Sequence, residues 1–307
     1  MKIVDKITLL KELTNLSQTQ LAQKLGVSFA TLNSWINGRS QPRRSAQERI
    51  DQLLQKYTGH AITPPDALLT KKRLLADKSK KHPSVIQKII ANPDIRDQFL
   101  LALTYHSNRI EGSSLSENDT AAILFDNVSL PNKSLVEQLE AKNHQTALEY
   151  LFAYIADDKP LNEKLILKLH SILLNGINSE AGYYRRHSVR IVGSYVPTAN
   201  HLNVPRLMKN LTKTLDYPGR DIVAKIANIH SKFEQIHPFA DGNGRTGRLL
   251  MHAMLLKNHL APAVIKQNNK RIYYAYLQKA QLEHNNVLLQ NFICDAVLTG
   301  FTILERK

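Results

Sequence analysis

Apolar residues recur at helical spacing through most of the chain. Ile222, Val223, Ile226, Ile229, Phe233 and Ile236 mark one stripe, and Leu249, Leu250, Met251, Met254, Leu255 and Leu256 a second. Near the start, Leu9, Leu10, Leu13 and Leu16 form a third, and a short segment from Phe29 to Asn37 turns Leu32, Trp35 and Ile36 inward. Phe99, Leu100, Leu103 and Tyr105 belong to a helix running to Ile110. Residues 135–156 and 161–174 predict two amphipathic helices, and Val287 to Leu304 a largely apolar last one. Only residues 182–204 alternate as a strand does: His187, Val189 and Ile191, a turn at Gly193-Ser194, then a return through Tyr195-Val196-Pro197. The pattern predicts an all-α protein with one hairpin. Such a hairpin is marginal alone and wants a partner, although a purely structural hairpin fits the same residues.

Punctuation divides the chain. Ser17 and Ser28 can cap two short helices around the Gly26 turn, the arrangement of a helix-turn-helix. Asn37-Gly38 closes the second, and Arg39, Pro42, Arg43 and Arg44 follow. Thr58-Gly59 and Pro64-Pro65 interrupt helical order, then Lys71, Lys72, Arg73, Lys78, Lys80 and Lys81 form a charge run. The expected division is residues 1–57, a linker with a solvated helix at 58–82, and a helical domain at 83–307.

Composition adds charge. The net charge is +15, and residues 1–80 hold fourteen Lys or Arg against six Asp or Glu. That excess suits an acidic or nucleic-acid partner. The single cysteine, Cys294, excludes an internal disulfide and suits a reducing cytoplasm. Lys2, Asp5 and Lys6 interrupt any signal-peptide core, and no apolar run is expected to reach membrane-spanning length.

The chemistry concentrates between the first two stripes, in His237-Pro238-Phe239-Ala240-Asp241-Gly242-Asn243-Gly244-Arg245-Thr246-Gly247-Arg248. Pro238 should end a helix at His237, and a new helix should begin near Arg245. Amides at such a start suit an anion. Arg245 and Arg248 are three apart, Asp241 can hold one Mg²⁺, and His237 is a base near neutrality. Gly242 to Gly247 also spells a dinucleotide fingerprint, but that needs a preceding strand and here a helix precedes it. His144, His170 and His230 do not have metal-site spacing and read as core or surface residues.

The twelve-residue string resembles the signature H-P-F-x-[DE]-G-N-G-R-x-x-R of the Fic (Fic/Doc) family at every fixed position. The resemblance implies a helical bundle with a β-hairpin flap that transfers AMP from ATP to a hydroxyl of a target protein. In that case His237 is the base, Asp241 the Mg²⁺ ligand, and Gly242, Asn243 and Gly244 the α/β-phosphate cradle. Arg248 is the γ-phosphate ligand and Arg245 an organiser of the same loop. Tyr273 or Tyr274 flanks the adenine, and the flap at 187–197 holds the target by strand addition.

Ser107 to Gly112 resembles that family's inhibitory motif [ST]-x-x-x-E-[GN], with Ser107, Glu111 and Gly112 at its fixed positions and the segment lying before the core. Glu111 itself ends a helix, where the dipole disfavours a carboxylate unless a cation meets it. The expectation is that Glu111 engages Arg248 as a bidentate pair. Ser116 with Asp119 resembles a capping box for the next helix.

Residues 16–42 resemble the phage-repressor (Xre/Cro-like) helix-turn-helix family. That implies duplex DNA as a partner, read by Gln18, Ala30, Thr31, Asn33 and Ser34, with Arg43 on phosphate. A protein-contact role fits the same fold, and Trp35 is core in either case. Other readings of the larger domain are transfer of phosphate or phosphocholine, removal of AMP with Glu111 orienting a water, and a DNA-binding regulator that senses nucleotide. A homodimer is compatible with all of them.

Overall fold

The computed structural model describes residues 3–58, 65–126, 128–191, 195–215, 219 and 221–306. Four helices build the N-terminal unit: α1 (Ile3–Thr14), α2 (Gln18–Lys24), α3 (Phe29–Ile36) and α4 (Arg44–Thr58). Ser17 caps α2 through a capping box with Gln20, and Ser28 caps α3 by accepting from the Thr31 amide. Gly26 takes the left-handed turn between them at φ 68°. Ile7, Leu10, Leu21, Leu32, Trp35, Ile50 and Leu54 fill the core of this unit, and Lys6 reaches Asp51 at 2.7 Å to tie α1 to α4.

The charge run lies on α5 (Pro65–Lys81). This helix is not free in solvent, because it packs along the last helix, α15 (Val287–Leu304). Lys71 meets Asp295 at 2.6 Å, Lys72 meets Asp221 at 2.5 Å, and Lys78 meets Glu305 at 2.6 Å. Helix α15 is long and apolar enough to cross a membrane, so the expectation that no run reaches that length was too strict. Leu289, Phe292, Ile293, Val297, Phe301 and Leu304 are buried, and the helix packs on α5 and four other helices of the bundle.

The bundle continues through α6 (Val85–Ala91), α7 (Pro93–Glu111), α8 (Glu117–Phe125), α9 (Leu135–Ala156), α10 (Glu163–Leu173) and α11 (Val204–Thr212). It closes with α12 (Ile222–Ile236), α13 (Asn243–Lys257), α14 (Lys270–Leu282) and α15. Gly112 ends α7 in the left-handed region at φ 114°, and Ser116 and Asp119 cap α8 reciprocally. Helix α13 is the centre: every residue from Arg245 to Leu256 is buried, against α7, α9, α10 and α12. A helix covered on all sides can carry apolar residues all round, as Leu249 to Leu256 do. Helix α1 packs on α14, so the small unit touches the larger one.

Among the described residues there is no β-strand, and the expected hairpin flap is corrected to an extended, unladdered loop. The expected turn residues Gly193 and Ser194 lie outside the described residues. The carbonyls a ladder would use are committed elsewhere. Buried Arg185 donates to His187 O at 2.7 Å and to Ala199 O at 2.5 Å. Thr198 Oγ1 donates to Val189 O at 2.8 Å, and the Ala199 amide donates to Gln235 O at 3.3 Å. The two arms are therefore pinned to each other and to α12 without strand pairing.

Candidate active site

Helix α12 ends at His237, whose backbone is left-handed at φ 51°, ψ 62°. A non-glycine residue there stores about 1–3 kcal/mol of strain, which the surroundings must hold. Pro238 prevents the helix from continuing, and Arg185 Nε donates to His237 O at 2.7 Å. His237 Nδ1 lies 3.2 Å from Glu234 O. A carbonyl only accepts, so Nδ1 carries the proton and Nε2 keeps its lone pair. Burial pushes the His237 pKa down, with Arg185 adding to the effect and Glu111 and Asp241 opposing it. The imidazole is thus neutral and basic at neutral pH.

The loop then turns into α13. Gly242 caps the helix at φ 74°, packed against His170 and Leu174. Asn243 does not aim its side chain at a ligand. Its Oδ1 accepts from the Phe239 amide at 2.9 Å and its Nδ2 donates to Phe239 O at 2.8 Å, so it braces the loop from inside. Helix geometry leaves the amides of Asn243, Gly244 and Arg245 without intrahelical acceptors. His170 supports the turn from below, Nε2 to Asp241 O at 3.0 Å, with Nδ1 accepting from the Gly182 amide at 2.8 Å and its ring stacked on Phe239 at 3.7 Å. Asp241 is the exposed carboxylate of the loop: Oδ1 accepts from the Gly242 amide at 2.6 Å, and Oδ2 lies 3.7 Å from Arg245 Nη2.

The two arginines are buried and differently engaged. Arg245 pairs with Glu140 of α9 at 2.6 Å. Sequence spacing gave no sign of Glu140, which is 105 residues away. Arg248 Nε donates to Ser107 Oγ at 2.9 Å, and Nη2 donates to Ser107 O at 3.2 Å and to Glu111 Oε1 at 2.6 Å. The pair with Glu111 uses one nitrogen, not the expected two: Ser107 holds Nε and shares Nη2, and Nη1 is buried without a hydrogen-bond partner. Burial lowers the Arg248 pKa, and the Glu111 carboxylate more than restores it, leaving the charge fixed. Glu111 Oε1 also lies so close to the α-carbon of Gly244 that a side chain there would collide with it. The carboxylate expected to suffer at the C-terminus of α7 instead meets a cation and the N-terminus of α13.

These groups surround a cleft of about 540 Å³ that Glu111, His237, Asp241, Gly244 and Arg248 share with Tyr273 and Tyr274. Tyr273 is fully buried, with its hydroxyl 2.5 Å from His230 Nε2, and Tyr274 is partly exposed under Lys270 Nζ at 5.9 Å. Glu234 also lines the cleft. It is buried, its Oε1 has no hydrogen-bond partner, and burial raises its pKa to about 8. The sequence reading passed over Glu234 because a polar residue within an apolar helical stripe gives no hint of which way it faces. His144 bonds Thr104 at 3.1 Å, and His230 and His252 are buried and held neutral. No cluster of three or more His, Cys, Asp or Glu able to hold a metal exists among the described residues.

In the N-terminal unit, Gln18 and Asn33 come together, Nε2 to Oδ1 at 3.2 Å. Thr31 bonds Ser28 and Ser34 bonds Ser40, each at 2.8 Å, while Ala30 and Arg43 are exposed.

Residues 160–255 match the Fic/DOC family, and residues 8–56 match a helix-turn-helix family. The chain is 33% identical over 181 residues to a protein adenylyltransferase Fic of Aedes aegypti, covering 57% of this chain and 36% of that protein. The corresponding protein of Nematostella vectensis is 34% identical over 181 residues, with 57% and 42% covered. The chain thus spans well under half the length of these relatives. In fold it is similar to a Fic-domain signalling protein from Bacteroides thetaiotaomicron, with a TM-score of 0.65 at 24% identity, over 76% of this chain and 97% of that one. A fragment of Fic-1 from C. elegans gives a TM-score of 0.66 at 21% identity, over 90% and 85%. The chain carries a Fic/DOC family domain behind an N-terminal helix-turn-helix domain.

Proposed function

We propose that this protein transfers AMP from ATP to a Ser, Thr or Tyr hydroxyl of a protein, and that Glu111 restrains the reaction. The observation that carries this reading is the Arg248–Glu111 contact at 2.6 Å beside the loop that bears His237. His237 Nε2 takes the hydroxyl proton as the oxygen attacks the α-phosphorus, and pyrophosphate leaves. The amides at the start of α13 and the Arg248 guanidinium hold the phosphates. The exposed Asp241 carboxylate would hold a Mg²⁺. When bound, that ion would neutralise phosphate charge. Tyr274, backed by the buried Tyr273, forms the wall suited to adenine. The relatives' description as adenylyltransferases supports the same reaction. The test is incorporation of label from α-labelled ATP with Mg²⁺ into protein of a cell lysate.

Glu111 and His237 line one cleft, so the same carboxylate can orient a water toward a bound AMP ester. Removal of AMP is therefore the second reading. For residues 1–57 we propose duplex DNA as the partner, supported by the helix-turn-helix match and the exposed basic flank at Arg43 and Arg44.

A further inference from the structure

A separate groove of about 580 Å³ lies between α11 and α12. Its floor is Leu207, Leu211, Ile229 and Ile236, and one wall is Pro197-Thr198-Ala199. The same three wall residues border a second hollow, which also includes Arg190 and Ile191. Arg190 and Ile191 in turn line the cleft that holds His237. The three hollows are therefore neighbours with shared walls, and together they form a furrow along the extended loop that ends in the cleft of His237. The wall is held in register by Ala199 N on Gln235 O at 3.3 Å, two residues before His237.

The loop and the α11 side of the furrow are of one sign, and the carboxylates Glu111 and Asp241 lie only at its His237 end. Residues 182–215 contain six Lys or Arg and no Asp or Glu. Arg185 is buried in the scaffold, but Arg186, Arg190, Arg206, Lys209 and Lys213 are exposed, and Lys232 adds another exposed cation from α12. A patch of this kind raises the local concentration of an oppositely charged partner and repels a basic one.

We infer that this furrow selects the target polypeptide: an acidic segment with one large apolar side chain seated in the α11–α12 groove. The inference rests on the protein-modifying reaction proposed above and adds the class of substrate.

The probe is a set of synthetic peptides, each with one hydroxyl residue, tested with the full chain and α-labelled ATP. Peptides combining acidic residues with a distal Leu or Phe should show at least tenfold higher kcat/KM than versions carrying Lys or Ala at those places. Asn228→Trp and Thr214→Trp, both at the groove rim and exposed, should each raise the peptide KM at least fivefold and leave the ATP KM unchanged. Equal rates across the peptides, or an unchanged peptide KM in both variants, would overturn the inference. Direct binding of a fluorescent acidic peptide separates this from the reaction itself. Binding that Asn228→Trp abolishes, without AMP transfer, supports the furrow and defeats the proposed chemistry. If the variants instead weaken binding of a random oligonucleotide and leave the peptides untouched, the face serves nucleic acid and the inference fails.

Discussion

Glu111 holds Arg248 at 2.6 Å while its carboxylate lies against Gly244, at the head of α13. One side chain thus pairs with the guanidinium and packs against the first turn of α13. A phosphate arriving there must displace Glu111 or settle elsewhere, and a shift of about 1 Å can cost ~10²-fold in rate. Under the proposed restraint, Glu111 would act on the pose of the nucleotide more than on its affinity.

His237→Ala should retain nucleotide binding and lose transfer by ~10²–10⁴-fold, the usual cost of removing a general base. The pH profile gives an independent check. Burial lowers the His237 pKa, so the base is active above its folded pKa and loses activity only as pH falls below the ordinary imidazole range near ~6.5. Because Glu111 opposes that lowering, the acid limb should move to still lower pH in Glu111→Gly. A limb at or above the ordinary range would contradict the assignment.

Glu140→Ala leaves Arg245 buried with Asp241 as its remaining partner at 3.7 Å. Breaking a buried pair from one side costs roughly 3 kcal/mol. The Arg245 guanidinium should then compete with a divalent ion for Asp241. Chemical denaturation and the Mg²⁺ dependence of labelling report the two effects, and a variant normal in both would remove Glu140 from the site.

Glu234 has a folded pKa raised to about 8 from an ordinary carboxylate value of 4.5. The folded state holds this proton more tightly than the unfolded chain does. Its contribution to stability is present below the unfolded pKa and is lost as pH rises through the folded one. Glu234→Gln, which keeps the shape and cannot ionise, should therefore gain stability relative to the native chain between pH 5 and pH 8, both values bracketed by roughly that window. Melting temperatures of the two proteins at those ends check it, and a constant difference would show that Glu234 ionises normally.

Arg43→Ala should weaken duplex binding about equally for all sequences and reduce the salt slope by about one unit. Asn33 is held by Gln18 at 3.2 Å, so Asn33→Ala should instead alter sequence preference. A selection from random duplexes returning no enriched site, with no binding at low salt, would favour protein contact for this unit.

The helices were readable because their stripes are long and their ends carry strong punctuation. Ser17, Ser28, Ser116 and Gly112 act as the caps their residue types suggested, and α9 and α15 begin and end where the apolar pattern does. The loop from His237 to Arg248 was readable because its residues are neighbours in sequence. What the pattern concealed depends on distance along the chain or on competition. Glu140 meets Arg245 only once α9 packs on α13. The alternation at 187–197 suggested strands, yet Arg185 captures the carbonyls that would pair them. Helix α5 looked solvated because its lysines were counted without the Asp221, Asp295 and Glu305 that receive them.

The central claim is that Glu111 restrains transfer by occupying Arg248 and the head of α13. The direct measurement is a time course of AMP incorporation from α-labelled ATP by the native chain, Glu111→Gly, and Glu111→Gly combined with His237→Ala. The account predicts that the glycine variant is faster by about tenfold or more, set by how fully the pair forms, that the double variant is silent, and that Arg248→Ala is silent as well. A glycine variant no faster than the native chain would contradict it.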